Sequence, residues 1–196
     1  EAERQRVLRA AADALEADKD RIGAVIAAET GKPIAIATGE VIGAAAHMRY
    51  HADEVIPVET IVDDETQTIM VVHEPIGVVV AITPWNGPLL MLANKTAAAL
   101  RAGNTVVAKP SPFTPFSSLL FGEVLRDIVP AGVVNVLAGG DALGVAMTQH
   151  RDTAMISFTG SIRAGQAIMA QSAGGLRRLQ LELGGNDAAV VLPDVD

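Results

Sequence analysis

Along residues 7–26 apolar side chains recur near the period of an α-helix, at Val7, Leu8, Ala11, Leu15, Ile22, Val25 and Ile26. Side chains three and four apart share one face of a helix. Thr30-Gly31-Lys32-Pro33 interrupts the pattern before an alanine-rich stretch that runs to about Val55, so the periodicity predicts two amphipathic helices at the start of the chain. The β-prone segments Pro57–Val62 and Gln67–His73 follow, separated by the turn-forming D-D-E-T. They predict a protruding antiparallel hairpin.

From Gly77 onward the pattern becomes apolar strand, loop, helix and strand again. Strands are predicted at Val78–Thr83, Thr105–Ala108, Val133–Leu137, Ala154–Phe158, Leu179–Leu183 and Ala188–Leu192, with helices over 88–101, 115–128, 141–149 and 161–172. Short apolar runs alternating with helices indicate a parallel sheet with crossover helices. The expected fold is therefore α/β: a Rossmann-like open parallel sheet over residues 75–196, N-terminal helices over 1–56 and a hairpin arm over 57–74. In open parallel sheets ligands gather beyond the carboxyl ends of the strands. That directs attention to the loops T-P-W-N-G-P, K-P-S-P-F-T-P, L-A-G-G-D, F-T-G-S-I-R-A-G and E-L-G-G-N-D.

Composition narrows the class. The 196 residues are 49% hydrophobic but 3% aromatic, enough for one large domain with an aliphatic core. A net charge of −8 without a cluster of Lys or Arg argues against nucleic acid and anionic membranes as partners. Apolar runs such as Ile76–Ile82 and Ala188–Leu192 are too short to span a bilayer, and the polar start E-A-E-R-Q-R is unlike a signal peptide, so a cytoplasmic protein is expected. The chain opens at Glu1, without methionine and already in helical register, and the natural protein is expected to be longer. With no cysteine, this chain offers no disulfide, thiolate metal site or thiol nucleophile.

The loops carry candidate chemistry, each with a plainer alternative. Pro84 and Pro88 stiffen the loop that presents Asn86, whose amide can donate to a developing oxyanion. The plainer reading is that Asn86 caps the helix beginning near Pro88 while Trp85 plugs the core. Lys109 ends a valine-rich strand and can meet a cofactor's ribose or phosphate, or be an exposed loop lysine. Gly160, Ser161 and Gly165 open a helix after a strand, a setting for a pyrophosphate, although such turns are common in α/β proteins. Glu182 alternates with leucines, as on the wet face of a strand or as a general base beside a crevice. His47 and His51 lie four apart on a helix without a third ligand or H-E-x-x-H, and are expected to be solvated.

In order, P-W-N-G-P, L-R-A-G-N-T-V-V-A-K-P-S, G-V-V-N-V-L-A-G, F-T-G-S and L-E-L-G-G closely resemble the NAD(P)-dependent aldehyde dehydrogenase superfamily, over nearly the whole chain from M-R-Y-H-A to V-V-L-P-D-V-D. The resemblance implies catalytic roles for Asn86 as oxyanion donor and Glu182 as general base for thioester hydrolysis. It implies a cofactor site of Thr83, Pro84, Trp85, Lys109, Ser111, Gly140, Phe158, Thr159, Gly160, Ser161, Leu183 and Gly184, and a substrate pocket at Gly87 and Met91. The implied cofactor is NAD, with NADP as the alternative, the substrate a small aldehyde, and the full-length assembly a homo-oligomer. In that family a cysteine thiolate attacks the aldehyde and hydride leaves for the nicotinamide. That cysteine follows E-L-G-G by a few dozen residues, past Asp196, so the chain alone is expected to be inactive. Gly87 replaces the usual aromatic of P-W-N-F-P, Asn186-Asp187 replace a lysine-led pair, Ile162 stands for a threonine, and Pro112 for a glutamate that clamps the ribose diol. A non-catalytic nucleotide-binding protein is the competing reading. Acyl-CoA-forming chemistry is a third, disfavoured by the intact Glu182.

Overall fold

A computed structural model describes residues 1–194. Helices α1 (Ala2–Ala17), α2 (Lys19–Thr30) and α3 (Ile34–Asp53) open the chain, where two helices were expected. The unexpected break is at Asp18, whose carboxylate accepts from Arg21 at 2.6 and 2.9 Å. The periodicity is blind to it because Leu15 and Ile22 are seven residues apart, two full helical turns, so the buried stripe keeps its phase across the break. Helix α2 ends at Gly31, whose φ of 76° is the left-handed closure that glycine adopts without strain.

The arm is a two-stranded antiparallel hairpin of β1 (Glu59–Asp63) and β2 (Thr68–Val71). Its turn is closed by Asp64, whose Oδ1 accepts from the amides of Thr66 and Gln67 at 2.8 and 3.1 Å, the local side-chain bonding that makes Asp a turn residue.

The remaining elements are β3 (Val78–Ile82), α4 (Pro88–Arg101), β4 (Thr105–Lys109), α5 (Phe116–Leu125), β5 (Val134–Val136), α6 (Asp141–Gln149), β6 (Thr153–Gly160), α7 (Ile162–Ala173) and β7 (Arg178–Leu183). The strands form one parallel sheet in the order β5-β4-β3-β6-β7. Successive residues of a strand face opposite sides, and both sides are covered in the inner strands β3 and β4, whereas the edge strand β7 keeps one side exposed. Val79, Ala81, Val106 and Ala108 join Leu89, Leu92 and Phe121 in a core shared with the N-terminal helices. Val80, Ile156 and Phe158 face the other way, onto Met147 of α6 and Ile168 of α7. Two-sided burial is why β3 reads V-V-V-A-I rather than alternating. Each fully buried Val, Leu or Ile contributes about 1.5–3 kcal/mol of transfer free energy.

The strand expected at Ala188–Leu192 is absent: these residues carry no regular secondary structure and are exposed, Val190 by 83%. A strand exists only where a ladder partner accepts its backbone groups, and after β7 the chain leaves the sheet edge through Gly184-Gly185 with no strand among the described residues beside it. No helix among the described residues is long and apolar enough to cross a membrane.

Candidate active site and cofactor cleft

The sheet order creates the site. Chain order runs outward from β3 through β4 to β5, then returns to the other side of β3 with β6. Helices α4 and α5 pack with the N-terminal helices, whereas α6 and α7 cover the opposite face. Loops leaving β3 and β6 therefore diverge, and a crevice opens beyond the carboxyl ends of the strands, where α/β sheets bind ligands. Here the crevice is a cleft of about 1650 Å³. It is lined by Thr83, Pro84, Trp85, Asn86 and Met91 after β3, by Lys109 at the end of β4 and Ser111 after it, by Thr159 and Gly160 at the end of β6 and Ser161 after it, and by Glu182 and Leu183 at the end of β7 and Gly184 after it. Most of the residues singled out in the sequence thus share one cavity.

Asn86 does not cap α4. The N-cap is Gly87, and no side chain caps from that position; Asn86 is exposed on the cleft. Trp85 is 57% exposed, a wall of the cleft and not a core plug. Gly87 leaves room beside Met91: a Cβ there would stand 3.7 Å from Met91 Cγ.

Lys109 is buried, not an exposed loop lysine. Its ammonium donates to the Pro110 carbonyl at 3.2 Å, and burial pushes its pKa below the usual lysine value against the opposing charge of Asp141. Gly140 is the N-cap of α6, immediately before Asp141, which lines the cleft. Ser161 caps α7: its hydroxyl accepts from the Ala164 amide at 3.2 Å, and its own proton remains free to donate. The leading amides of α7 have no partner within the helix, a ready site for an anion.

The cleft also contains hydroxyls without partners. Thr83 Oγ1 and Thr159 Oγ1, at the ends of β3 and β6, are buried and unbonded among the described residues. Such groups are uncommon and invite a ligand. Together with Lys109, Ser161 and the α7 terminus, they fit a dinucleotide carrying ribose hydroxyls and a pyrophosphate. Phe158 is placed otherwise: its side chain lies in the core beneath the cleft, with its ring against Gly160, where a Cβ would come within 2.5 Å of it.

Sequence reasoning missed Lys95. On α4 the residues Met91, Asn94, Lys95 and Ala98 form the stripe that faces the cleft, and Lys95 is one turn from Met91, the signal that was there to use. Its ammonium is buried and donates to Ser157 Oγ at 2.8 Å, and Ser157 donates in turn to Gln180 Oε1 at 2.7 Å. Burial pushes its pKa down to about 8, an effect that the charge of Glu182 partly offsets. Glu182 itself is exposed at the mouth, in register with Thr159 across β6 and β7. His51 also departs from expectation: it is half-buried, with Nδ1 on Glu54 and Nε2 2.9 Å from Asn94 Oδ1.

Such an arrangement can polarise a carbonyl at Asn86 and hold a dinucleotide along the ends of β3, β4 and β6. The Aldehyde dehydrogenase family model matches residues 1–196. Aldehyde dehydrogenase LUC3 of Fusarium sp. is 42% identical over 172 residues, covering 88% of this chain and 36% of its own length. The crystal structure of an NADP-dependent enzyme of E. coli superposes with a TM-score of 0.90 at 38% identity, over 94% of this chain and 40% of that one. PnpE, solved with nicotinamide adenine dinucleotide, gives a TM-score of 0.89 at 40% identity, over 94% of this chain and 39% of that one. This chain, spanning somewhat over a third of the length of such relatives, belongs to the aldehyde dehydrogenase family.

Proposed function

We propose that the chain is the cofactor-binding part of an NAD(P)-dependent aldehyde dehydrogenase that oxidises a small aldehyde to a carboxylic acid. The observation that carries this reading is that Asn86 and Glu182 line the same cleft as Thr83, Lys109, Thr159 and Ser161. A bound NAD(P) would supply the hydride acceptor. Ser161 and the first turn of α7 would hold its pyrophosphate, Lys109 and Ser111 its adenosine ribose, and Trp85, Leu183 and Gly184 would wall the nicotinamide end. Asn86 donates to the oxygen of the aldehyde as negative charge grows there. Glu182 takes a proton from the water that releases the acid.

The nucleophile is a thiol outside these 196 residues, which contain no cysteine. The exposed apolar side chains of the hairpin, Ile61 and Met70 among them, support assembly into a homo-oligomer through the arm.

Expressed alone, the 196-residue chain should show no aldehyde oxidation, while the full-length enzyme should reduce NAD with aldehydes. In that enzyme Glu182→Gln should leave a rapid first turnover of NADH and slow the steady state, since an amide cannot accept the proton from water. Full-length protein that reduces neither NAD nor NADP with any aldehyde overturns the reading in favour of a non-catalytic nucleotide-binding role.

A further inference from the structure

We propose that Lys32 and Glu40 are positioning residues that aim the Asn86 amide by clamping its main chain from outside the cleft. The proposal rests on the oxyanion role given to Asn86 above. Helix α4 begins without a local side-chain cap, which leaves its leading amides in need of acceptors. Glu40, on α3, provides one: its Oε1 accepts from the amides of Leu89 and Leu90 at 3.1 and 3.3 Å, where a carboxylate also meets the positive end of the helix. Its other oxygen holds the Lys32 ammonium at 2.5 Å. That ammonium donates again, to the carbonyl oxygen of Asn86 at 2.6 Å.

Asn86 is thus fixed on both sides, by Lys32 at its own carbonyl and by Glu40 at the turn that follows. The Glu40 side chain is only 6% exposed and that of Lys32 is 26% exposed. Such a pair adds little net stability; its hydrogen bonds instead hold the backbone on both sides of Asn86. Lys32 is itself held, because it leaves the turn closed by Gly31 and its amide donates to Thr30 Oγ1 at 3.3 Å. The Asn86 side chain, by contrast, lies on the open cleft, so its direction is set through its backbone. An oxyanion donor is effective to the extent that it is aimed before charge develops, and small displacements in an active site reduce rate steeply.

The test is a double-mutant cycle in the full-length enzyme. Lys32→Met should lower kcat about tenfold, part of the roughly hundredfold or greater loss expected for Asn86→Ala. The aldehyde KM and the NAD dissociation constant should stay within about twofold. Lys32→Arg, which restores the charge and the donors, should recover most of the rate. In the Asn86→Ala background Lys32→Met should cause no further loss, because the group it aims is gone. An equal fold-loss in both backgrounds would make Lys32 merely structural and overturn the proposal, as would unchanged kcat in the wild-type background. Hydrogen exchange at the Leu89 and Leu90 amides gives an activity-independent check: Lys32→Met should accelerate it, and unchanged exchange overturns the clamp. A wild-type enzyme that oxidises no aldehyde defeats the dehydrogenase reading instead, and leaves the exchange experiment to judge the clamp.

Discussion

Lys95 holds an ammonium in the floor of the cleft with a hydroxyl as its hydrogen-bond partner, and its proton is therefore loosely held. In the folded protein it titrates at about 8, against 10.5 for an ordinary lysine. Between those values the unfolded chain carries the extra proton, so stability rises with pH across that window. Below it the full penalty of a charged, buried lysine is present. Lys95→Met should reduce this rise in Tm between pH 8 and 10.5, leaving the contribution of Lys109, which burial depresses in the same direction. Parallel Tm profiles for the two proteins would show that Lys95 titrates as an ordinary lysine. Lys95 was overlooked because a lysine in mid-helix has the pattern of a solvated face, and its spacing of one turn from Met91 was the one sign that this face looks into a cavity. Asn86, Lys109, Ser161 and Glu182 could be placed on the cleft because each lies at or just past the carboxyl end of a strand, and strand ends could be read from the apolar runs. Phe158 was not, because a strand alternates sides and its ring turns to the core.

Helices α2 and α3 meet at Gly23, where a Cβ would lie 2.6 Å from Thr38 Oγ1 and 3.0 Å from Thr38 Cα. Backbone cannot swing aside as a side-chain tip can. Gly23→Ala should therefore push α3 away and destabilise the protein by about 1–3 kcal/mol. Because α3 carries Glu40 and the α2–α3 turn carries Lys32, turnover should fall as well; an unchanged Tm with unchanged kcat contradicts this account of the contact. Elements with chemical punctuation at their ends were legible. Helix α4 occupies the expected residues 88–101 because Pro88 suits the first helical position and Gly103, with φ 86°, turns the chain after it. Helix α5 was expected to reach 128 but ends at Leu125, where the Ile128 amide turns back to the Leu125 carbonyl at 3.0 Å. The break at Asp18 and the missing strand at Ala188–Leu192 share a cause: periodicity reports which face is apolar, not whether backbone bonds continue or find a partner.

Across the whole molecule, the sheet order gathers the loops of four strands at one end, and the net charge of −8 makes that end's cations decisive for an anionic ligand. Lys109 is the buried cation beside the K-P-S-P loop. Two features set its preference between NAD and NADP in opposite directions. Pro112 lines the cleft without a carboxylate, so it neither accepts bonds from both ribose hydroxyls, which would favour NAD, nor repels a 2′-phosphate. Asp141 lies close enough to Lys109 to oppose the fall in its pKa, and that negative charge disfavours the phosphate. With the two effects opposed, the full-length enzyme should bind both cofactors with dissociation constants within about tenfold, roughly 1.4 kcal/mol, NAD being the tighter. Asp141→Asn should move the ratio toward NADP by about the same factor, since it removes charge and leaves Lys109 to attract the phosphate. Calorimetric titration of both proteins with both cofactors measures this directly. A hundredfold preference in the wild type, or an Asp141→Asn ratio equal to that of the wild type, would show that cofactor choice is made elsewhere in the cleft.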